Sequence, residues 1–241
     1  SRSMRKDLIL AKLRGKLIVS CQALPAEPLY DAERSLMGRM AKAALLGGAG
    51  GIRANSVRDI QEIKKYVDVP IIGIIKTETP GCPVFITPTM AEIDALAAAG
   101  CDIIAMDATD RPRPDGRSLD ELFTECRRKY PDQLFMADCA TYAECLHAER
   151  IGFDIVSTTL CGYTEGTQGT ELPNYELLRQ LGKDCKAYVI AEGGIWTPEQ
   201  LKMAYDCGID SAVVGTAITR PMEITKRFVA AIQPERHSCC E

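Results

Sequence analysis

Histidine is almost absent: the chain of 241 residues holds two, His147 and His237. A His-rich metal centre or a Ser/His/Asp triad therefore has little material to draw on. Neither charge sign dominates, since 29 Lys+Arg face 33 Asp+Glu for a net charge of -4. That balance argues against a nucleic-acid partner and against a polybasic membrane-surface protein. No apolar run approaches the ~20 residues of a membrane span, and no secretory apolar region follows the short basic start. The 11 cysteines contain no Cys-x-x-Cys pair and mostly sit inside apolar runs. They read as reduced thiols packed as small hydrophobes, which points to a cytoplasmic protein. Ser1-Arg2-Ser3 before Met4 reads as a cloning remnant.

What is present is a repeat. A glycine followed by a β-rich run recurs as Gly48-Ala-Gly-Gly-Ile-Arg53, Gly100-Cys-Asp-Ile-Ile-Ala-Met-Asp107, Gly152-Phe-Asp-Ile-Val-Ser-Thr158 and Gly208-Ile-Asp-Ser-Ala-Val-Val-Gly215. The steps are 52, 52 and 56 residues. Each glycine closes a stretch rich in Ala, Leu and Met, at the helix-terminal position that wants a positive φ. Between them lie Leu17-Ile-Val-Ser20, Ile71-Ile-Gly-Ile-Ile75, Leu134-Phe-Met-Ala137 and Tyr188-Val-Ile-Ala191. Near-continuous apolar strands alternating with helices imply βαβ units around a parallel sheet buried on both faces. A period of about 52 residues is two βα units, so four pairs close an α/β (β/α)8 TIM barrel in one domain. A doubly wound open sheet is the alternative; the even count and regular spacing favour the barrel. The expected division is a lead-in helix over 1–14, the barrel over 15–233 and a disordered tail over 234–241.

Active sites in such barrels sit at the C-terminal strand ends. The residues just past the runs are Gln22, Arg53, Lys76, Asp107, Asp138, Thr158 or Thr159, Glu192 and Gly215. Seven of these eight positions carry ionisable or hydrogen-bonding groups, while the strand interiors are almost wholly apolar. Lys76 leaves a dry strand with its ammonium at the barrel mouth. Desolvation and Arg53 would lower its pKa, whereas Asp107, Asp138 and Glu192 would raise it. A purely structural pairing with those carboxylates is the plainer possibility. Glu192 on strand seven faces Lys76 on strand three across the ring, which suits proton removal from one face of a carbon and return at the other. Asp138 is able to orient a lysine or a substrate hydroxyl. Asp107 is equally suited to closing its own Asp107-Ala-Thr109 turn.

Gly193-Gly194 after strand seven and Gly215-Thr216 after strand eight allow a close backbone approach to an anion, as in phosphate-binding barrels. Tight turns would use the same glycines. Arg220 either adds charge there or simply precedes Pro221 at a helix start. The Arg111-Pro-Arg-Pro-Asp-Gly116 loop reads as mobile, either a lid over an anionic substrate or solvated. Thr77 to Pro83 reads as an insertion ahead of a short extra strand, Val84-Phe-Ile-Thr87. Cys21 reads as a buried thiol rather than a nucleophile, and His147 as exposed and far from the top face.

These motifs resemble the N-acetylmannosamine-6-phosphate 2-epimerase family from Leu17 to Val229. The resemblance rests on Gly15-Lys-Leu-Ile-Val-Ser-Cys-Gln-Ala-Leu-Pro25, Ile52-Arg-Ala54, Pro70-Ile-Ile-Gly-Ile-Ile-Lys76, Ile86-Thr-Pro-Thr89, Asp107-Ala-Thr109 and Met136-Ala-Asp138. It continues through Ser157-Thr-Thr-Leu160 with Gly162-Tyr-Thr164, Ala191-Glu-Gly193, Val213 to Pro221 and Ile224-Thr-Lys-Arg-Phe228. It implies a cofactor-independent, metal-free barrel enzyme of sialic-acid breakdown that interconverts N-acylmannosamine and N-acylglucosamine 6-phosphates, active as a homodimer. The family's essential lysine falls on Lys76 and its essential glutamate on Glu192. Substrate-binding residues fall on Gln22, Arg53, Asp138 and Thr159, and phosphate contacts on Gly194, Gly215, Thr216 and Arg220. Thr77 departs from the basic residue that many relatives carry there. Two rival functions use the same residues: a Schiff-base aldolase acting through Lys76, and a non-catalytic sugar-phosphate sensor.

Overall fold

The computed structural model describes residues 2–234. The expected tail from 235 onward, and the reading of Ser1 as part of a cloning remnant, lie outside the described residues. Eight parallel strands close a barrel in sequence order: β1 (Leu17–Cys21), β2 (Gly51–Asn55), β3 (Ile71–Ile74), β4 (Ile103–Asp107), β5 (Leu134–Asp138), β6 (Ile155–Ser157), β7 (Tyr188–Glu192) and β8 (Ser211–Val214). The helices are α1 (Arg2–Leu13), α2 (Met37–Leu46), α3 (Val57–Lys64), α4 (Met90–Ala98), α5 (Leu119–Lys129), α6 (Tyr142–Ile151), α7 (Tyr175–Asp184), α8 (Pro198–Asp206), the short α9 (Thr216–Thr219) and α10 (Pro221–Ile232). The open-sheet alternative is excluded by the β1–β8 pairing, Leu17 to Ala212 through Val19 to Val214.

Capping chemistry starts the outer helices where the sequence writes it. Ser118 with Glu121, Thr141 with Glu144 and Thr197 with Gln200 form reciprocal capping boxes. Each satisfies two backbone donors that a helix start would otherwise leave orphaned.

The sequence repeat has a physical cause at the bottom of the barrel. In three of its four instances the glycine is followed two residues later by an aspartate that accepts an N–H from the first or second residue of the preceding strand. Asp102 takes Ile71 N at 2.9 Å, Asp154 takes Phe135 N at 2.9 Å and Asp210 takes Val189 N at 2.8 Å. These bonds join β3 to β4, β5 to β6 and β7 to β8, so the period is a pair of strands. Gly100, Gly152 and Gly208 hold φ of 76°, 111° and 91°, the left-handed turn that precedes each aspartate.

Side chains alternate strictly between two apolar bodies. Ile52, Ala54, Ile104, Met106, Ala137, Val156 and Val189 face the helices. Ile18, Ile72, Ile74, Ile103, Leu134, Met136, Ile155, Ile190 and Val213 fill the barrel interior. Helix α1 closes the lower end of that interior with Ile9 and Leu13, while the Tyr188 hydroxyl donates to the Leu10 carbonyl at 3.2 Å. With its base filled, the barrel opens only towards the C-terminal strand ends.

Candidate active site

The inward parity of each strand, followed to its end or one or two residues beyond, gives Gln22, Arg53, Lys76, Asp107, Asp138, Thr159, Glu192 and Gly215, because side-chain direction has a period of two. The alternation separates the two threonines. Thr159 points inward. Thr158 points outward and clips β6 to β7, donating to the Glu192 carbonyl at 3.0 Å and accepting from Glu192 N at 3.1 Å.

Above the apolar plug lies a cavity of about 760 Å³, lined by Gln22, Arg53, Lys76, Thr159, Glu192, Gly194, Gly215, Thr216 and Arg220. Of the expected site residues only Asp138 is missing from the wall. It lies behind Arg53, fully buried, and holds the guanidinium in a two-point grip of 3.0 Å and 2.6 Å. The Ser157 and Thr159 hydroxyls donate to the same carboxylate at 3.2 Å and 2.9 Å. Asp138 thus orients an arginine instead of a lysine or a substrate hydroxyl.

Arg53 also stands 3.5 Å from Glu192. Burial works against the charge of Arg53, but Asp138 and Glu192 outweigh it and hold the guanidinium protonated beyond the ordinary arginine range. Burial raises the Glu192 carboxyl from 4.5 to about 7; Arg53 and Lys76 pull it down, and Asp138 adds to the rise. The Lys76 ammonium is held below its ordinary value, first by burial and then by Arg53, with Glu192 and Glu27 acting the other way. Glu27, rather than the expected Asp107 or Asp138, is the second carboxylate that Lys76 feels.

Lys76 and Glu192 stand on diametrically opposed strands of the closed ring. No ion pair joins them, although each feels the other's charge. The Lys76 backbone is fixed by its N–H to Asn55 Oδ1 at 2.9 Å and by a single antiparallel bridge to Ile86. That bridge and a second one, Thr79 to Cys82, replace the expected extra strand. The 77–87 segment folds back over the mouth, where Phe85 and Ile86 form part of the wall. Among the described residues, the buried side-chain polar atoms left without a hydrogen-bond partner are Gln22 Oε1, Arg53 Nε and Glu192 Oε1. All three belong to the cavity's ring, and such orphans are costly unless a ligand satisfies them.

On the β7–β8 side, Gly193 and Gly194 have φ of 107° and 76°. A Cβ on Gly194 would meet Leu172 Cβ at 2.3 Å, so only glycine fits. Arg220 lines the cavity and is also the residue before Pro221 at the start of α10. Its guanidinium pairs with Glu27 at 3.2 Å.

The remaining candidates lie outside the cavity wall. Asp107 is spent on its own turn, accepting from Thr109 N and Oγ1 at 2.9 Å and 2.7 Å and from Arg111 at 2.7 Å. The Arg111 to Arg117 loop is not wholly solvated. Arg113 is buried and donates to the carbonyls of Asp107, Pro88 and Thr87. Cys21 is a buried thiol pushed up to about 12 by desolvation. His147 lies in α6, partly exposed, paired with Asp120 at 2.6 Å. Glu27, Trp196, Gln200 and Arg227 also line the cavity; all four come from outside the strand-end positions, where no periodic signal marks them.

Among the described residues no group of three His, Cys, Asp or Glu side chains is arranged to hold a metal ion, and no helix is long and apolar enough to cross a membrane.

Residues 37–234 match the family described as "Putative N-acetylmannosamine-6-phosphate epimerase". A relative from Caldanaerobacter subterraneus subsp. tengcongensis, named "Putative N-acetylmannosamine-6-phosphate 2-epimerase", is 50% identical over 235 residues, covering 98% of both chains. One of the same name from Enterobacter sp. (strain 638) is 52% identical over 232 residues, 95% of this chain and 97% of its own. A solved structure of the N-acetylmannosamine-6-phosphate 2-epimerase from Clostridium perfringens superposes with a TM-score of 0.87 at 50% identity, covering 93% of this chain and 96% of that one. The thiamine phosphate pyrophosphorylase of Pyrococcus furiosus, with a TM-score of 0.58 at 19% identity, shares the fold alone. With half of its residues shared over nearly its full length, the chain belongs to the N-acetylmannosamine-6-phosphate 2-epimerase family.

Proposed function

We propose that this protein is an isomerase that interconverts N-acyl-D-mannosamine 6-phosphate and N-acyl-D-glucosamine 6-phosphate at C2, within amino-sugar and sialic-acid breakdown. The observation that carries the reading is the pairing of Lys76 and Glu192 on opposite walls of one cavity. They are not bonded to each other, and burial drives both towards the neutral state.

In the open-chain sugar, C2–H lies beside the C1 aldehyde, so proton loss gives an enolate. One of the pair takes the proton from its face of C2 while the other, protonated, returns one on the opposite face. Near neutral pH a carboxyl of about 7 exchanges protons readily in either direction. The charge that develops on O1 needs a preorganised partner. Arg53, fixed by Asp138 and still carrying a free Nε, supplies it, with Gln22 beside it. Thr159 steadies Asp138 from the opposite side and lines the cavity where a sugar hydroxyl would lie. The backbone at Gly194, Gly215 and Thr216, with Arg220, receives the 6-phosphate. The carbonyl already acidifies C2, so the step itself calls for no cofactor.

The catalytic unit is residues 15–233. Nine described cysteines are free thiols, as a cytoplasmic protein would keep them. A homodimer has a suitable face in α10, which buries none of its residues and exposes Phe228 and Ile232 at 75% and 84%.

The test is turnover of N-acetylmannosamine 6-phosphate by the purified chain, followed by NMR. N-acetylglucosamine 6-phosphate is expected to accumulate, with no adduct trapped by borohydride. A covalent adduct on Lys76 would point to the aldolase, and binding without turnover to the sensor.

A further inference from the structure

We propose that Arg227 is a second guanidinium of the phosphate seat, and that it selects phosphorylated over unphosphorylated sugars. The proposal deepens the epimerase reading and rests on it for the location of the phosphate.

Arg220 and Arg227 stand seven residues apart at the start of and within α10. Arg220 precedes the helix and Arg227 lies in its second turn, and both line the cavity. Arg227 sits over the Trp196 ring, its guanidinium carbon 3.9 Å from the centroid. A cation–π contact of this kind holds the guanidinium in place without using up its N–H donors. The platform is itself anchored. The Trp196 backbone N–H donates to Gln200 Oε1 at 2.7 Å, two residues beyond Gly194 in the same loop.

The charge balance gives Arg227 its role. Arg220 already faces Glu27, with contacts of 3.2 Å and 3.3 Å. Lys76 has Glu192 as its facing carboxylate, as Arg53 has Asp138. A phosphate dianion reaching the Arg220–Glu27 pair therefore meets almost no net positive charge. Arg227 forms no ion pair with a described carboxylate and carries the uncompensated charge at this end of the cavity. Its exposed position suits a group that closes on the phosphate last.

The experiment uses the full chain and three variants: Arg227→Ala, Arg227→Lys and, as a control, Lys226→Ala, whose residue pairs with Glu223 outside the cavity. Inorganic phosphate is titrated by calorimetry, and KM and kcat are measured with N-acetylmannosamine 6-phosphate and with N-acetylmannosamine. A charge-assisted hydrogen bond at an exposed site predicts that Arg227→Ala weakens phosphate binding and raises the phosphorylated-sugar KM by about five- to tenfold. The loss should fall on KM rather than kcat and leave the unphosphorylated sugar unaffected. Arg227→Lys should recover part of it, and Lys226→Ala should behave as wild type. Undiminished phosphate affinity in Arg227→Ala, or an equal KM rise on both sugars, overturns the proposal. If the wild type turned over neither sugar, the epimerase reading would fall, and the phosphate titration would still decide the part played by Arg227.

Discussion

Two buried arginine–aspartate clusters stand side by side at the ends of β4 and β5, and they differ in one respect. Around Asp107 every polar atom is spent: the carboxylate takes Thr109 and Arg111, and Arg113 donates to three carbonyls. Around Asp138 the same residue types are assembled with equal care, yet in the adjoining ring Gln22 Oε1 and Arg53 Nε have no hydrogen-bond partner and Glu192 Oε1 has only its 3.5 Å ion pair with Arg53. The first cluster is complete without a ligand and staples a loop to the barrel. The second leaves hydrogen-bonding capacity that a ligand in the cavity could take up. Strand-end charge alone does not separate the two clusters; unspent hydrogen-bonding capacity does, and it is the reason the proposed site is placed at the second.

The contrast can be broken most sharply at Lys76 and Glu192. Lys76→Ala and Glu192→Gln should each lower kcat by about 10³-fold, the scale expected for losing an acid–base group. Asp138→Asn should cost about 10²-fold in kcat through a misplaced Arg53. Asp107→Asn should leave kcat and KM unchanged while both aspartate variants lose stability, about 2–4 kcal/mol each by urea denaturation, as broken buried ion pairs do. A large activity loss in Asp107→Asn would erase the distinction.

The pH dependence sharpens it further. The active form holds one proton between Lys76 and Glu192. kcat/KM should therefore rise through about pH 7 as the second proton leaves, and fall again below the ordinary lysine value of 10.5. Both directions of the reaction should share this profile. Stability carries the same signature. The folded-state pKa of Glu192 is raised above 4.5, so its favourable contribution is complete below that pH and is lost as the pH climbs through about 7. Glu192→Gln should gain stability relative to wild type over that window and hold the gain above it.

The smallest effect concerns neighbouring threonines. Thr158→Val should cost about 1 kcal/mol by removing the β6–β7 clip and should not touch turnover. Thr159→Val should lower kcat several-fold through Asp138.

Much of this was legible before any coordinates. The glycine repeat and apolar runs specify the barrel because each βα unit must bury its strand on both faces. The ring of strand-end residues follows from the same periodicity. Asp138 could be seen as a site residue, but its grip on Arg53 joins β2 to β5 across the barrel, a contact no local pattern encodes. Arg113 sits in a stretch of Pro, Gly and charge that reads as solvated; its burial depends on three carbonyls brought together by the fold. Glu27, Trp196 and Arg227 come from loops and a terminal helix with no register to mark them, and they became visible only as walls of the cavity.

The central claim is that Lys76 and Glu192 work on opposite faces of C2, and solvent deuterium tests it directly. Each epimer is incubated in D2O with wild type, Lys76→Ala and Glu192→Gln, and label at C2 is followed by NMR. Wild type should incorporate deuterium into both epimers, and each variant should lose epimerisation together with at least one of the two exchange reactions. Undiminished exchange into both epimers by both variants would contradict the account.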